Sequence, residues 1–317
     1  MDEFGLIATY FTRPARHAAV RLGVGDDAAV LAASGQEHVL TTDTLVAGVH
    51  FPDAAPGFDV GYKALAVNAS DLAAMGARPL GFLLSLALPA IDETWLGGFR
   101  DGLFRLADEL AMDLIGGDTV HGALTITITA IGEVPPGEAL TRAGARAGDR
   151  IYVSGLLGEA ALGFLMRAGR VTLPEEFAPQ VLARLDRPRP RIAEGQALRG
   201  IASAAIDVSD GLVADLGHLT HASGVGAALD LRRLPLSDAY DAAFTTVGYD
   251  AALTFGDDYE LVFTVPPERL TALHGVAAKV PGGFHYIGDI VAEPGLVFRG
   301  GPAGYAPATG GYAHFRS

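Results

Sequence analysis

The alternation of apolar and polar positions predicts helices and strands interspersed along the whole chain. Tyr62, Leu65, Ala66, Ala69, Leu72 and Ala73 recur at helical spacing and predict a helix over 59–76. Trp95, Phe99, Leu103, Leu106 and Leu110 repeat every three or four residues and predict a second over 92–112, with Asp92 as its N-cap. Between 123 and 134 the period drops to two. Leu124, Ile126 and Ile128 face one way and Thr125, Thr127 and Thr129 the other, the mark of a half-buried strand. Residues 39–42 and 114–115 read as short strands running into acidic residues. Beyond 150 the pattern predicts strands at 151–154 and 204–208 and helices near 158–169, 176–199 and 212–222. Tyr259, Leu261, Phe263 and Val265 alternate as a strand, followed by a helix over 267–279 and a strand-rich tail. This mixture belongs to the α/β (α+β) class.

Periodicity disappears around 135–150, where Pro135-Pro136-Gly137 precedes a run of Arg, Ala and Gly ending at Asp149. The domain junction is placed there, giving domains 1–137 and 138–317, which suits a chain of 317 residues. Glycine supplies 41 of them, well above the usual ~7%, and points to tight turns and close backbone approaches. The formal charge of −14 argues against nucleic acid and anionic membrane as partners, since both need a basic footprint. With no cysteine, disulfides, thiolate metal sites and cysteine nucleophiles are excluded. The N-terminus Met1-Asp2-Glu3-Phe4 lacks the layout of a signal peptide, and the longest apolar stretch, 81–90, is too short to span a bilayer. The chain therefore reads as a cytoplasmic protein.

One theme recurs, read as loop positions beside glycine: an aspartate just after an apolar strand. It appears in Gly23-Val24-Gly25-Asp26-Asp27, Thr41-Thr42-Asp43, Gly116-Gly117-Asp118, Asp207-Val208-Ser209-Asp210-Gly211 and Gly256-Asp257-Asp258, with Asp71 set into the first helix. Neighbouring carboxylates raise one another's pKa unless a cation or donor intervenes. Hard divalent cations prefer oxygen ligands, and glycines let backbone amides approach anionic oxygens. The set suits a site that holds phosphates through metal ions, although any single Gly-Asp pair is also an ordinary turn and Asp210-Gly211 an ordinary helix start. Gly23-x-Gly25-x-x-Ala28 with Asp43 twenty residues on matches a dinucleotide fingerprint, but Asp26 and Asp27 stand where a pyrophosphate would sit. No P-loop is present, and the EF-hand spacing from Asp207 fails at His218. An NAD-binding oxidoreductase and an acidic ion-binding scaffold stay as rival readings.

Taken in order, the motifs resemble the thiamine-monophosphate kinase family, of the superfamily shared with aminoimidazole-ribotide synthetase and selenophosphate synthetase. The resemblance rests on the segments just quoted together with Thr44-Leu45-Val46-Ala47-Gly48-Val49-His50-Phe51, Tyr62 to Gly76, Leu140-Thr141-Arg142 and Asp258-Tyr259-Glu260-Leu261. It implies a two-domain aminoimidazole-ribotide-synthetase-like fold, with an N-terminal mixed sheet and helices that dimerise and a C-terminal α/β domain. It implies ATP- and Mg2+-dependent phosphorylation of thiamine monophosphate to thiamine diphosphate by a homodimer. Carried onto this chain, it implies several Mg2+ ions on Asp27, Thr41, Thr42, Asp43, Asp71, Asp118, Asp207 and Asp210, with Asp43, Asp71 and Asp210 at the catalytic centre. ATP contacts are implied for Gly117, Asp118, Arg142 and Ser209, and thiamine-phosphate contacts for His50, Asp257 and Tyr312. The family commonly has Glu where this chain has Asp257. The terminal cysteines of the selenophosphate and hydrogenase-maturation relatives are missing, which leaves aminoimidazole-ribotide synthetase as the alternative within the superfamily.

Overall fold

A computed structural model describes residues 3–25 and 28–312. The chain divides into two units: Met1–Leu72 with Ala77–Gly137, and Ala73–Gly76 with Glu138–Ser317.

The first unit opens with a helical turn, α1 (Glu3–Leu6), a π-helical turn at Ile7–Phe11, and a small hairpin of β1 (Val20–Leu22) and β2 (Val30–Leu31). Its main sheet contains β3 (Glu37–Val46), β4 (Arg78–Leu88), β5 (Asp113–His121) and β6 (Thr125–Val134) in the order β3-β6-β4-β5. Only β4 and β5 are parallel, a pairing that needs a crossover, and helix α3 (Glu93–Glu109) supplies it. Asp92 caps α3 as the periodicity implies, accepting the amides of Thr94 and Trp95. The other helix, α2 (Gly57–Ala74), meets α3 backbone to backbone. A Cβ on Gly61 would lie 2.1 Å from the Phe99 carbonyl oxygen, and one on Gly102 only 1.9 Å from that of Phe58. Glycine is a packing requirement at that crossing.

The 81–90 stretch forms most of β4, whose alternate residues Phe82, Leu84 and Leu86 are buried, as are Leu65, Leu72, Phe99, Leu103, Ile126 and Ile128. The opposite face of the sheet is open. It carries Leu40, Leu83 and Val120, respectively 64%, 36% and 49% exposed, among the hydroxyls of Thr42, Thr44, Ser85, Thr127 and Thr129.

Two strands run further than the apolar pattern implied. β3 pairs without a break from Glu37↔Val134 to Val46↔Thr125, and β5 continues from Asp113 to His121. Thr41-Thr42-Asp43 and Gly116-Gly117-Asp118 are therefore strand segments instead of loops. Both strands are sheet edges, where polar side chains are tolerated, so a polar run does not end pairing.

The second unit is built on six strands: β7 (Arg150–Val153), β8 (Ala204–Asp207), β9 (Gly226–Asp230), β10 (Leu261–Val265), β11 (His285–Val291) and β12 (Gly295–Arg299). Their order is β12-β9-β11-β7-β10-β8, antiparallel except for β12 with β9. Helices α4 (Glu159–Arg167), α5 (Ala178–Asp186), α6 (Ile192–Leu198), α7 (Leu212–Ser223), α8 (Asp238–Val247), α9 (Asp250–Thr254) and α10 (Leu270–Ala277) connect them. The helix read over 176–199 is two, because Pro188 and Pro190 lack the amide that would continue it. Strand residues divide by parity between two cores. Ile151, Val153, Ile206 and Val262 join Leu212, Leu216 and Tyr240, while Tyr152, Ala205, Phe263 and Val265 join Leu198 and Leu273. Burial on both faces explains why these strands are continuously apolar. Tyr259 is not part of β10, since its φ of 49° is left-handed.

Candidate active site

In the first unit, α2 lies against the inner side of β3 and joins the two predicted acidic motifs there. Residues i and i+3 of a helix share a face, as do i and i+2 of a strand, so Asn68 and Asp71 meet Asp43 and Thr41. The Asp71 carboxylate accepts a short hydrogen bond from the Thr41 hydroxyl, and the Asp43 amide donates to Asn68 Oδ1 at 3.0 Å. Asn68 is fully buried and donates in turn to the Ala64 carbonyl, which locks its amide. Thr42 points the other way: its hydroxyl donates to the Ile128 carbonyl at 3.1 Å on the open face.

Gly117 and Asp118 lie on β5, at the opposite edge of the same sheet. Register runs from Asp43 through Ile128 and Leu84 to Gly117, so three strand spacings, ~14 Å, separate the edges. Asp118 pairs with Ser85 on the open face and is exposed. Gly117 has no alternative, since a Cβ would sit 1.9 Å from the Leu84 carbonyl oxygen. His50 follows β3 in a turn, its amide donating to the Val46 carbonyl and its Nδ1 accepting the Val46 amide, both at 3.0 Å. The neutral ring therefore keeps its proton on Nε2.

In the second unit, main-chain bonds stitch three distant segments together. Val208 donates to the Glu260 carbonyl at 2.7 Å, Tyr259 to Val208 at 2.8 Å, and Asp257 to Ser209 at 2.9 Å. The Tyr312 amide donates to the Asp210 carbonyl, also at 2.9 Å. Ser209, Asp210, Asp257 and Tyr312, which the sequence resemblance had named for ATP, metal and substrate, are thus neighbours. Gly256 makes this approach feasible: a Cβ there would lie 2.2 Å from the Ser209 carbonyl oxygen, and its φ is +89°. Asp207 ends β8 in a buried position. Arg142 stands apart from Ser209 within this unit. Its carbonyl accepts the Ser223 hydroxyl at the C-terminal end of α7, ~18 Å of helix from the Ser209-Asp210 loop.

Two further features were not read from the sequence. Asp215, in the first turn of α7, reaches back so that one carboxylate oxygen accepts the amides of Ser209 and Asp210, each at 3.0 Å. Burial, reinforced by the Asp210 charge and opposed by those amides, pushes it up to about 7. A carboxylate five residues after Asp210 in a helix's first turn was the available signal. The second feature is a buried ion cluster. Glu260, fully buried, accepts from Ser154 Oγ at 2.7 Å, Arg184 Nη2 at 2.6 Å and Arg191 Nε at 2.6 Å. Beside it Asp258 accepts the Gly158 amide at 2.9 Å on both oxygens, and burial pushes its carboxyl up to about 8.

Among the described residues no group of three or more His, Asp or Glu side chains is gathered closely enough to hold a metal ion. Asp27, named with the metal ligands, lies outside the described residues. The oxygen donors at β3 and α2 are nonetheless of the hard type that Mg2+ takes.

The sequence matches two family models, AIR synthase related protein N-terminal domain over residues 25–134 and C-terminal domain over 146–301. Thiamine-monophosphate kinase of Escherichia coli (strain K12) is 48% identical over 302 residues, covering 93% of each chain. The crystal structure of thiamine-monophosphate kinase from Stenotrophomonas maltophilia K279a superposes with a TM-score of 0.82 at 45% identity, over 90% of this chain and 93% of that one. AaThiL complexed with AMPPCP and TMP gives a TM-score of 0.78 at 32% identity over 92% of both chains. With identity at this level running nearly end to end, the chain belongs to the thiamine-monophosphate kinase family of AIR synthase related proteins.

Proposed function

We propose that this protein transfers the γ-phosphoryl group of ATP to thiamine monophosphate, producing thiamine diphosphate and ADP. The observation that carries the reading is the match, over 92% of both chains, to a ThiL protein solved with AMPPCP and TMP. An oxygen of the acceptor phosphate forms a bond to the γ-phosphorus as the bond to the β–γ bridging oxygen breaks. That phosphate has a second pKa of about 6, so it is largely deprotonated at pH 7 and needs no strong base. The phosphates of ATP and the acceptor phosphate are both negatively charged, and Mg2+, when bound, supplies the neutralising charge between them.

The residues of this chain are assigned accordingly. In the first unit Asp27, Thr41, Thr42, Asp43, Asp71 and Asp118 are proposed to hold Mg2+, as are Asp207 and Asp210 in the second. Asp43, Asp71 and Asp210 act at the transferred group. Gly117, Asp118, Arg142 and Ser209 contact ATP. His50, with its proton on Nε2, is a donor suited to a phosphate oxygen of thiamine monophosphate. Asp257 and the ring of Tyr312 suit the fixed positive charge of the thiazolium, for which a cation–π contact contributes ~0.5–2 kcal/mol. Residues 1–137 are assigned as the ATP, Mg2+ and dimerisation domain and 138–317 as the C-terminal α/β domain. The open face of the β3-β6-β4-β5 sheet, with its exposed Leu40, Leu83 and Val120, supports a homodimer. Among the described residues no helix is long and apolar enough to cross a membrane, and the cytoplasm is the compartment proposed.

Incubation with ATP, Mg2+ and thiamine monophosphate should yield thiamine diphosphate and ADP, resolved by chromatography. No product at millimolar Mg2+, or faster turnover of the formylglycinamidine substrate of aminoimidazole-ribotide synthetase, would refute the assignment.

A further inference from the structure

Asp257 and Tyr259 both adopt left-handed backbone, with φ of 60° and 49°. Few non-glycine residues do so, and the conformation persists where the surroundings over-determine it. Here they do. Between the two, Asp258 is buried with both carboxylate oxygens 2.9 Å from the Gly158 amide at the start of α4. The amides of Asp257 and Tyr259 are held by the carbonyls of Ser209 and Val208. The next residue, Glu260, is anchored by Ser154, Arg184 and Arg191. The turn brings two side chains together: the hydroxyl of Tyr259, on a buried ring, donates to Asp257 Oδ1 at 3.2 Å.

We propose that Tyr259 is a positioning residue, whose hydroxyl aims the Asp257 carboxylate at the cationic ring of the acceptor from a turn held in left-handed backbone for that purpose. The proposal rests on the reading above that Asp257 contacts thiamine monophosphate. A ring fixed by burial cannot swing its hydroxyl away, so the carboxylate is oriented before the substrate arrives. Such pre-orientation lowers the ordering cost of binding. A shorter acid than the family's Glu has less reach, which makes its direction matter more.

The test compares Tyr259→Phe, Asp257→Asn and the double variant by KM for thiamine monophosphate, KM for ATP and melting temperature. Tyr259→Phe should raise KM for thiamine monophosphate three- to tenfold, the scale of one hydrogen bond, with KM for ATP and melting temperature unchanged. Asp257→Asn should raise it at least as much, and the double variant should match Asp257→Asn alone. If Asp257→Asn leaves that KM unchanged, the assignment of Asp257 is wrong and the proposal goes with it. If Asp257→Asn raises it but Tyr259→Phe does not, or the two effects multiply, the positioning role is overturned and the Asp257 contact stands. A lowered melting temperature with both KM values raised in Tyr259→Phe would make the tyrosine structural and overturn the proposal.

Discussion

Asp215→Asn isolates what burial does to one carboxyl. Asp215 is 3% exposed and holds the Ser209-Asp210 loop through two amides. Its pKa rises from the ordinary 3.8 to about 7, chiefly through lost hydration. The native state therefore binds this proton more tightly than the unfolded chain does, so stability falls as pH rises from 3.8 to 7. At 1.36 kcal/mol per pKa unit the loss is about 4 kcal/mol. Asparagine keeps an oxygen for the two amides and does not titrate. Relative to the wild type, the variant should therefore gain about 4 kcal/mol between pH 4 and pH 8. Urea unfolding in EDTA, followed by far-UV circular dichroism at each pH, measures this difference. Trp95, the only tryptophan, lies in the other unit and marks that unit's transition separately by fluorescence. Taking the difference between the two proteins removes the share of Asp258, which titrates in the same sense in both. A difference that stays constant within about 1 kcal/mol from pH 4 to pH 8 would refute the argument.

Four other substitutions follow from the same geometry. Asp43→Asn and Asp71→Asn should each lower kcat at least ~10²-fold, the scale of losing an electrostatic group at the transition state, with circular dichroism spectra unchanged; near-normal turnover would reassign both to structural work between β3 and α2. Arg191→Met strips Glu260 of its two-point partner inside the protein and should destabilise by about 3–5 kcal/mol, read as a lower urea midpoint. Gly256→Ala places a methyl against the Ser209 carbonyl at φ +89°; unfolding should show a loss of more than about 1 kcal/mol, and KM should rise for both substrates because the Ser209 and Asp257 segments are forced apart.

The apolar pattern alone located α2, α3, β6 and β7: α3 and β6 bury one face, so the spacing records it, as in the alternation of Ile126 and Ile128 against Thr125 and Thr127, whereas α2 and β7 are buried nearly all round and stand out as apolar runs. It also marked the acidic segments as chemically unusual, since carboxylates beside glycine have no packing role to explain them. It did not place those segments on strands or loops. Thr41-Thr42-Asp43 looks like a strand ending, yet β3 continues to Val46 because β6 offers a partner at every residue. Tyr259 fits the alternation of β10, yet its backbone is left-handed because Asp258 is drawn into the start of α4. The pairing of Asp71 with Thr41, of Asp43 with Asn68, and of Asp257 and Tyr312 with the Ser209-Asp210 loop joins residues 25 to 102 positions apart, which no local pattern encodes. Residue type and spacing determined what chemistry the chain carries; sheet register and main-chain bonds between remote segments decided which of those side chains stand together.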